Sequence, residues 1–149
     1  MRVDFYHLAA SSLERALPRL LERVRRAGKR AVVLAASEER VEALAGHLWS
    51  YDPDSWLAHG TKRDGSPAAQ PIWITDSEEN PNGSSILVLT DGMDADFVGT
   101  FERCLDLFDG GDEAALTAAR ARWKKAKGQG HELHYWQQKT SGDWAEQPV

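Results

Sequence analysis

Cysteine is nearly absent from this 149-residue chain; Cys104 stands alone. A lone thiol closes no internal disulfide, so a reducing, cytoplasmic setting is expected. Long apolar runs are missing as well. The longest, such as 31–36 and 86–89, fall far short of the ~20 residues a membrane helix requires. At the start, Met1-Arg2-Val3-Asp4 places an acid where a secretory leader would be apolar, so no leader is expected. A phosphate loop is also lacking. The connection after the first predicted strand reads Ala9-Ala10-Ser11-Ser12, without glycine or lysine, and neither G-x-x-x-x-G-K-[ST] nor G-x-G-x-x-G occurs. Nor is there a G-x-S-x-G elbow for a serine nucleophile or an H-E-x-x-H for zinc.

What remains is a chain long enough for one domain and too short for two ordinary ones. With 42% apolar and 28% charged residues it has the composition of a folded globular protein rather than a disordered one. Lys and Arg number 18 against 23 Asp and Glu, a net charge of −5 that opposes blanket neutralisation of duplex DNA. The cations are unevenly spread. Arg15, Arg19, Arg23, Arg25, Arg26, Lys29 and Arg30 crowd one stretch, and Arg120, Arg122, Lys124, Lys125 and Lys127 another. Basic patches on an acidic protein suit anionic peptides or proteins better than long nucleic acid.

The chain alternates strand and helix signals, which predicts an α/β domain with a mostly parallel sheet. Arg2–Leu8 reads as a strand, rich in β-branched and aromatic residues. Ser11 with Glu14 has capping-box spacing, and Leu13, Leu17, Leu20, Leu21 and Val24 build one apolar helical stripe. Pro18 inside it predicts a kink or restart, and Gly28 a stop. The continuous run 31–36 predicts a strand buried on both faces. Ser37 caps a second helix carrying Val41, Leu44, Ala45, Leu48 and Trp49, which Asp52-Pro53-Asp54 ends. Residues 60–69 read as a polar surface loop. Segments 71–75, 85–90 and 103–108 predict further strands, with a turn at Asn80-Pro81-Asn82-Gly83 and a short helix or irregular link over 91–100. Gly111 or Asp112 caps an alanine-rich helix over 113–127, then 132–136 is a final strand and 139–149 a loose tail.

Candidate chemistry is sparse. His131 and His134 suit a surface or packing role better than metal, because a strand would point their rings to opposite faces. Cys104 lies in an apolar strand pattern and reads as a small buried hydrophobe. Asp91 and Asp106 read as turn formers or caps. The last helix is richer. Arg120, Trp123, Lys124 and Lys127 fall at i, i+3, i+4 and i+7, beside an apolar edge of Leu116, Ala119 and Trp123. That surface suits a short acidic peptide with one apolar anchor. Cations near a helix C-terminus also stabilise its dipole by ~0.3–1 kcal/mol each, and Trp123 is equally a core candidate, so both readings stay open. A second aromatic cluster holds Trp49, Tyr51 and Trp56. By spacing, Trp49 continues the buried stripe of its helix, whereas Trp56, beyond the helix, suits an interface.

Several stretches in this order and spacing resemble the chi subunit family of bacterial DNA polymerase III. They are Asp4-Phe5-Tyr6-His7-Leu8, Leu48-Trp49, Asp54-Ser55-Trp56-Leu57-Ala58-His59-Gly60, Phe101-Glu102-Arg103, Asp106-Leu107-Phe108-Asp109, Ala119-Arg120-Ala121-Arg122-Trp123-Lys124 and Gly130-His131. The resemblance spans 2–138. It implies a single three-layer α/β domain over 1–138, similar to nucleotide-binding folds but without the phosphate loop, with 139–149 a flexible tail. It further implies a cytoplasmic, non-catalytic adaptor with no cofactor, metal or membrane. Such an adaptor binds the acidic C-terminal tail of single-stranded DNA-binding protein and joins the clamp loader through a partner called psi. Contact with nucleic acid is then indirect. By the same resemblance, Arg120 receives the tail's terminal carboxylate, Phe108 forms an apolar wall, Trp123 replaces an aromatic of relatives and Lys124 keeps a basic position. Leu116 stands where relatives can carry a lysine, which leaves the tail's acids to Lys124 and Lys127. Trp49 and Trp56 match aromatics used for psi and, in some members, an accessory helicase; Trp56 replaces a commoner phenylalanine. Two rival readings remain: a small α/β nucleotide-binding enzyme or hydrolase, and a direct single-stranded DNA binder stacking bases on Trp49, Tyr51 and Trp56.

Overall fold

Strand β1, Arg2–Leu8, lies inside the sheet and sets its two faces. Val3 and Phe5 point to one side, and Asp4 and Tyr6 to the other, as the two-residue period of a strand requires. The computed structural model describes residues 1–52 and 56–148. Among them, one seven-stranded sheet runs in the order β3-β2-β4-β5-β1-β6-β7. Its other strands are β2 (Ala31–Leu34), β3 (Ile72–Thr75), β4 (Ile86–Leu89), β5 (Arg103–Asp109), β6 (Glu132–Gln138) and β7 (Trp144–Gln147). All neighbours pair in parallel except β7, which is antiparallel to β6.

Among the described residues three α-helices cover the sheet: α1 (Leu13–Arg26), α2 (Glu38–Ser50) and α3 (Glu113–Gly128). Leu17, Leu20 and Leu21 of α1 and Val41, Leu44 and Leu48 of α2 share one core with Tyr6, Val33, Ile74, Val88, Leu105 and Leu107. Ala119 and Ala126 of α3 share the opposite core with Val3, Phe5, Val32, Leu34, Leu87 and Cys104. The result is the expected three-layer α/β domain. Every residue of β2, β3 and β4 is buried, because helices or links close both faces.

Several local expectations change. Ser12, rather than Ser11, caps α1, its side chain accepting from the Arg15 N–H. Helix α1 runs through Pro18 without a restart. The proline sits on the buried face and removes a single N–H, which the packing of Leu17, Leu20 and Leu21 outweighs. Gly28, with φ +73°, ends α1 through paired bonds from the Lys29 N–H to the Val24 carbonyl and from its own N–H to Arg25. Residues 144–147, expected in a loose tail, form β7, and Trp144 packs edge-on to Tyr6 at 5.0 Å. Trp49 is not core: it is 56% exposed, because Leu48 takes the inward position one residue earlier. Of the predicted turn at 52–54, only Asp52 falls within the described residues.

Candidate binding site on the outer face of helix α3

Asp112 starts α3 by accepting from the Ala114 and Ala115 N–H groups at 2.9 and 3.3 Å. Ala119, Arg122 and Ala126 then face the sheet. Arg122 is an unusual inward residue. Its Nε and Nη2 donate to both oxygens of Asp106 on β5 at 2.7 and 2.9 Å, a buried bidentate pair. Burial raises the Asp106 carboxyl above the ordinary aspartate range despite that partner. Asp106 therefore anchors the helix rather than capping a turn. The other inward titratable group nearby is Cys104, whose fully buried thiol is pushed well above its usual value by burial and by the Asp106 and Asp4 charges. It is an inert hydrophobe.

Once Arg122 is consumed inward and Lys125 pairs with Asp94 at 3.0 Å, the basic run divides. Arg120, Lys124 and Lys127 are exposed, and among the described residues none forms an ion pair or side-chain hydrogen bond. Arg120 borders a cavity of about 320 Å³ between α3 and strands β5, β1 and β6 of the sheet. Phe108, Leu116 and Trp123 line it, together with Phe5, His7 and Tyr135. The walls are rings packed on rings: Trp123 meets Phe5 at 5.2 Å and Tyr135 at 5.9 Å, and His7 meets Phe108 at 5.4 Å. The volume falls within the range of small-ligand pockets. Lys124 and Lys127 stand on the same helix but do not border the cavity.

His7 tightens one wall. Its Nδ1 lies 2.6 Å from the Tyr135 hydroxyl, and burial lowers its pKa while Asp109 pulls the other way. Tyr135 is raised by burial, with Arg120 opposing. The ring leaves no room at Gly110, where a Cβ would come 1.8 Å from His7 Nε2. Sequence patterning assigns neither His7 nor Tyr135 to the site. Strand periodicity puts His7 on the face of Phe5, but nothing local indicates that β6 lies beside β1.

The crevice at the carboxyl ends of the strands is of different character. Its cavity, about 570 Å³, is bordered by Glu14, Asp91, Asp109 and Asp112. Arg40, also there, is held by Asp91 at 3.0 Å and Glu14 at 3.3 Å, and Arg122 by Asp106. Acids with their cations already paired make a poor seat for a nucleotide's phosphates. Asp91 is thus an ion-pair partner as well as a turn residue. His134 on β6 bonds Glu132 at 2.8 Å and also Glu146 of β7; among the described residues no cluster suited to a metal ion occurs.

The second aromatic cluster lies elsewhere. Trp56 is 77% exposed, and Trp49 packs on His59 at 4.5 Å between centroids. His59 is buried, its ring nitrogens 2.8 and 3.0 Å from the Leu57 and Ala45 carbonyls. His59 thereby ties Leu57 to α2, the helix that carries Trp49.

These features define a class: a three-layer α/β domain with a mostly parallel sheet, an acidic strand-end crevice and an aromatic, cation-edged pocket on one helix. The chain belongs to the family described as the DNA polymerase III chi subunit, HolC, which it matches over residues 1–134. The family is a component of the replicative DNA polymerase III holoenzyme. The chain is 29% identical over 151 aligned positions to a probable DNA polymerase III subunit chi of Rickettsia prowazekii (strain Madrid E), covering 95% of this chain and 88% of the relative. It is 27% identical over 111 positions to the DNA polymerase III subunit chi of Haemophilus influenzae (strain ATCC 51907 / DSM 11121 / KW20 / Rd), covering 72% and 75%. Among the described residues, no helix is long and apolar enough to cross a membrane.

Proposed function

We propose that this chain is a non-catalytic cytoplasmic adaptor that grips the acidic carboxy-terminal tail of single-stranded DNA-binding protein and ties it to the clamp loader through psi. The observation that carries this reading is the exposed Arg120 guanidinium, unpaired among the described residues, beside an aromatic cavity of about 320 Å³. In it, Arg120 takes the terminal carboxylate through two parallel N–H···O bonds. Phe108, Leu116 and Trp123 enclose the last apolar side chain, and Lys124 and Lys127 meet the acids that precede it. Trp49 and Trp56 offer a separate apolar contact for psi or an accessory helicase. Support comes from the exposure of both rings and from the packing of Trp49 on His59.

A charge-assisted pair and one buried ring contribute roughly 1.5–3 kcal/mol each, so a single site is micromolar once ordering costs are subtracted. Several tails on one oligomer raise the effective strength through local concentration. The test is a titration of the tail peptide against the wild type and Arg120→Ala. The expected result is at least about tenfold weaker binding by the variant, equivalent to ~1.4 kcal/mol. Amidating the peptide's carboxy terminus should weaken wild-type binding to a similar degree. Equal affinities of wild type and variant for the free-acid peptide would remove Arg120 from the site.

A further inference from the structure

The early basic stretch has no role in the tail site, because α1 lies on the opposite side of the sheet from α3. Arg15, Arg19 and Arg23 recur every four residues, which sets them one helical turn apart along one face. All three are exposed, and among the described residues none has an ion pair or side-chain hydrogen bond. They border a groove between α1 and the β6–β7 hairpin. Two cavities form it, of about 170 and 440 Å³, which share Leu20, Arg23 and Trp144 in their walls.

Arg2, Arg103 and Trp136, which line the larger cavity, all converge on a carboxylate buried behind them. Asp4, fully buried, accepts from Arg2 Nη2 at 2.9 Å, Arg103 Nε at 2.7 Å and Trp136 Nε1 at 2.9 Å. Burial pushes the Asp4 carboxyl up, but these three donors together outweigh it and hold the group ionised below its usual range. One carboxylate thus faces two guanidinium groups, and the Nη1 of each has no partner among the described residues. With Lys29 bordering the same cavity and Glu102 its one acid besides, the wall carries a net positive charge. Its apolar side is aromatic: Tyr6 stacks on Trp136 at 6.1 Å, and Trp144 meets Tyr6 edge-on.

We propose that this groove is a second peptide-binding site, taking an acidic internal segment of a partner polypeptide that carries one large apolar side chain. Carboxylates of the segment pair with Arg15, Arg19 and Arg23 along α1, and the apolar side chain enters the larger cavity beneath Trp136 and Trp144. Charge complementarity selects the anion, since cations outnumber acids along the whole groove. A peptide is favoured over single-stranded nucleic acid for two reasons. The aromatic faces are engaged with one another rather than open as stacking platforms. The chain's net charge of −5 also disfavours a long polyanion while leaving a short acidic segment free to bind locally.

The test uses the full chain and a fluorescein-labelled peptide of five aspartates around one phenylalanine, acetylated and amidated so that it has no terminal carboxylate for Arg120. Fluorescence anisotropy should give saturable, salt-sensitive binding, weakened at least tenfold in Arg19→Glu/Arg23→Glu and unchanged in Arg120→Ala. The milder Arg19→Gln/Arg23→Gln variant should fall between, and it supplies the answer if charge reversal disturbs folding. Binding of the free-acid tail peptide should survive both pairs of changes, which keeps this inference separable from the tail-site reading. No binding of the acidic peptide to wild type, or equal binding to wild type and the Gln variant, overturns it. So does a labelled oligothymidylate that binds the wild type and is lost in the same variants while the peptide is not.

Discussion

Arg120 and Arg122 are two positions apart and have opposite fates. The 100° step of the helix turns one guanidinium outward beside the aromatic cavity and the other inward onto Asp106. Removing one member of a buried pair leaves an uncompensated charge, so Arg122→Met should cost about 3–5 kcal/mol in urea denaturation. Replacing Asp106 by Leu in the same molecule should recover most of that loss. A double variant no more stable than Arg122→Met would show that packing, not charge, dominates there. His7 gives a pH signature. Its lowered pKa keeps the imidazole neutral near pH 7. As pH falls through that value, the ring gains a positive charge beside Arg120, and affinity for a carboxylate tail should rise. The rise lies below the ordinary histidine value of ~6.5 and above ~3.5, where the peptide carboxylate itself protonates. The fold pays the opposite way, because the unfolded chain binds that proton more readily and stability falls over the same interval. Isothermal titration of wild type and His7→Gln between pH 5 and 7.5 checks this, the variant giving the flatter profile.

At the scale of elements, sequence patterning was a good guide wherever one residue's chemistry decided the outcome. Ser37 and Asp112 cap α2 and α3 as their side chains require, and Gly28 supplies the left-handed residue that ends α1. It misled where packing decided. The leucines of α1 carry the helix through Pro18, and Tyr6 and Trp136 give Trp144 a surface on which β7 can form. The β6–β7 hairpin is further held by His134, whose pKa is raised first by Glu132 and then by Glu146. A raised histidine stabilises below its unfolded value and loses that effect as pH rises through its folded value. The stability gap between wild type and Glu146→Gln should therefore be widest near pH 6 and close as pH rises beyond the raised value. Thermal melts at low salt, where an exposed pair is least screened, measure it.

For the whole molecule, the sheet acts as a partition. Alternate residues of β1 serve different faces: Phe5 and His7 line the aromatic pocket under α3, while Tyr6 lines the groove beside α1 and Asp4, buried behind it, holds Arg2 and Arg103. The faces should respond separately. Truncation before β7 removes Trp144 from the groove and should abolish binding of the acidic, amidated peptide. Tail-peptide affinity should change less than threefold, since no residue of β7 borders the Arg120 cavity. Anisotropy titrations of both peptides against the shortened chain distinguish this from a general loss of structure, which would weaken both.

Sequence alone determined the alternation of strands and helices, the caps, the absence of a phosphate loop and the outward row Arg120, Lys124, Lys127, because each depends on near neighbours along the chain. Helical spacing also supplied Leu116 and Trp123 as apolar companions of Arg120, whereas Phe108 came only from the resemblance to the family. Only the tertiary structure decided that β6 lies beside β1, which brings Tyr135 to His7 across 128 positions and closes the aromatic cavity. Likewise, only folding paired Arg122 with Asp106 and left Arg120 without a partner among the described residues. Local rules read a helix face and a strand face accurately, but which faces meet depends on the order of strands in the sheet, and that order is set by the packing of the whole chain.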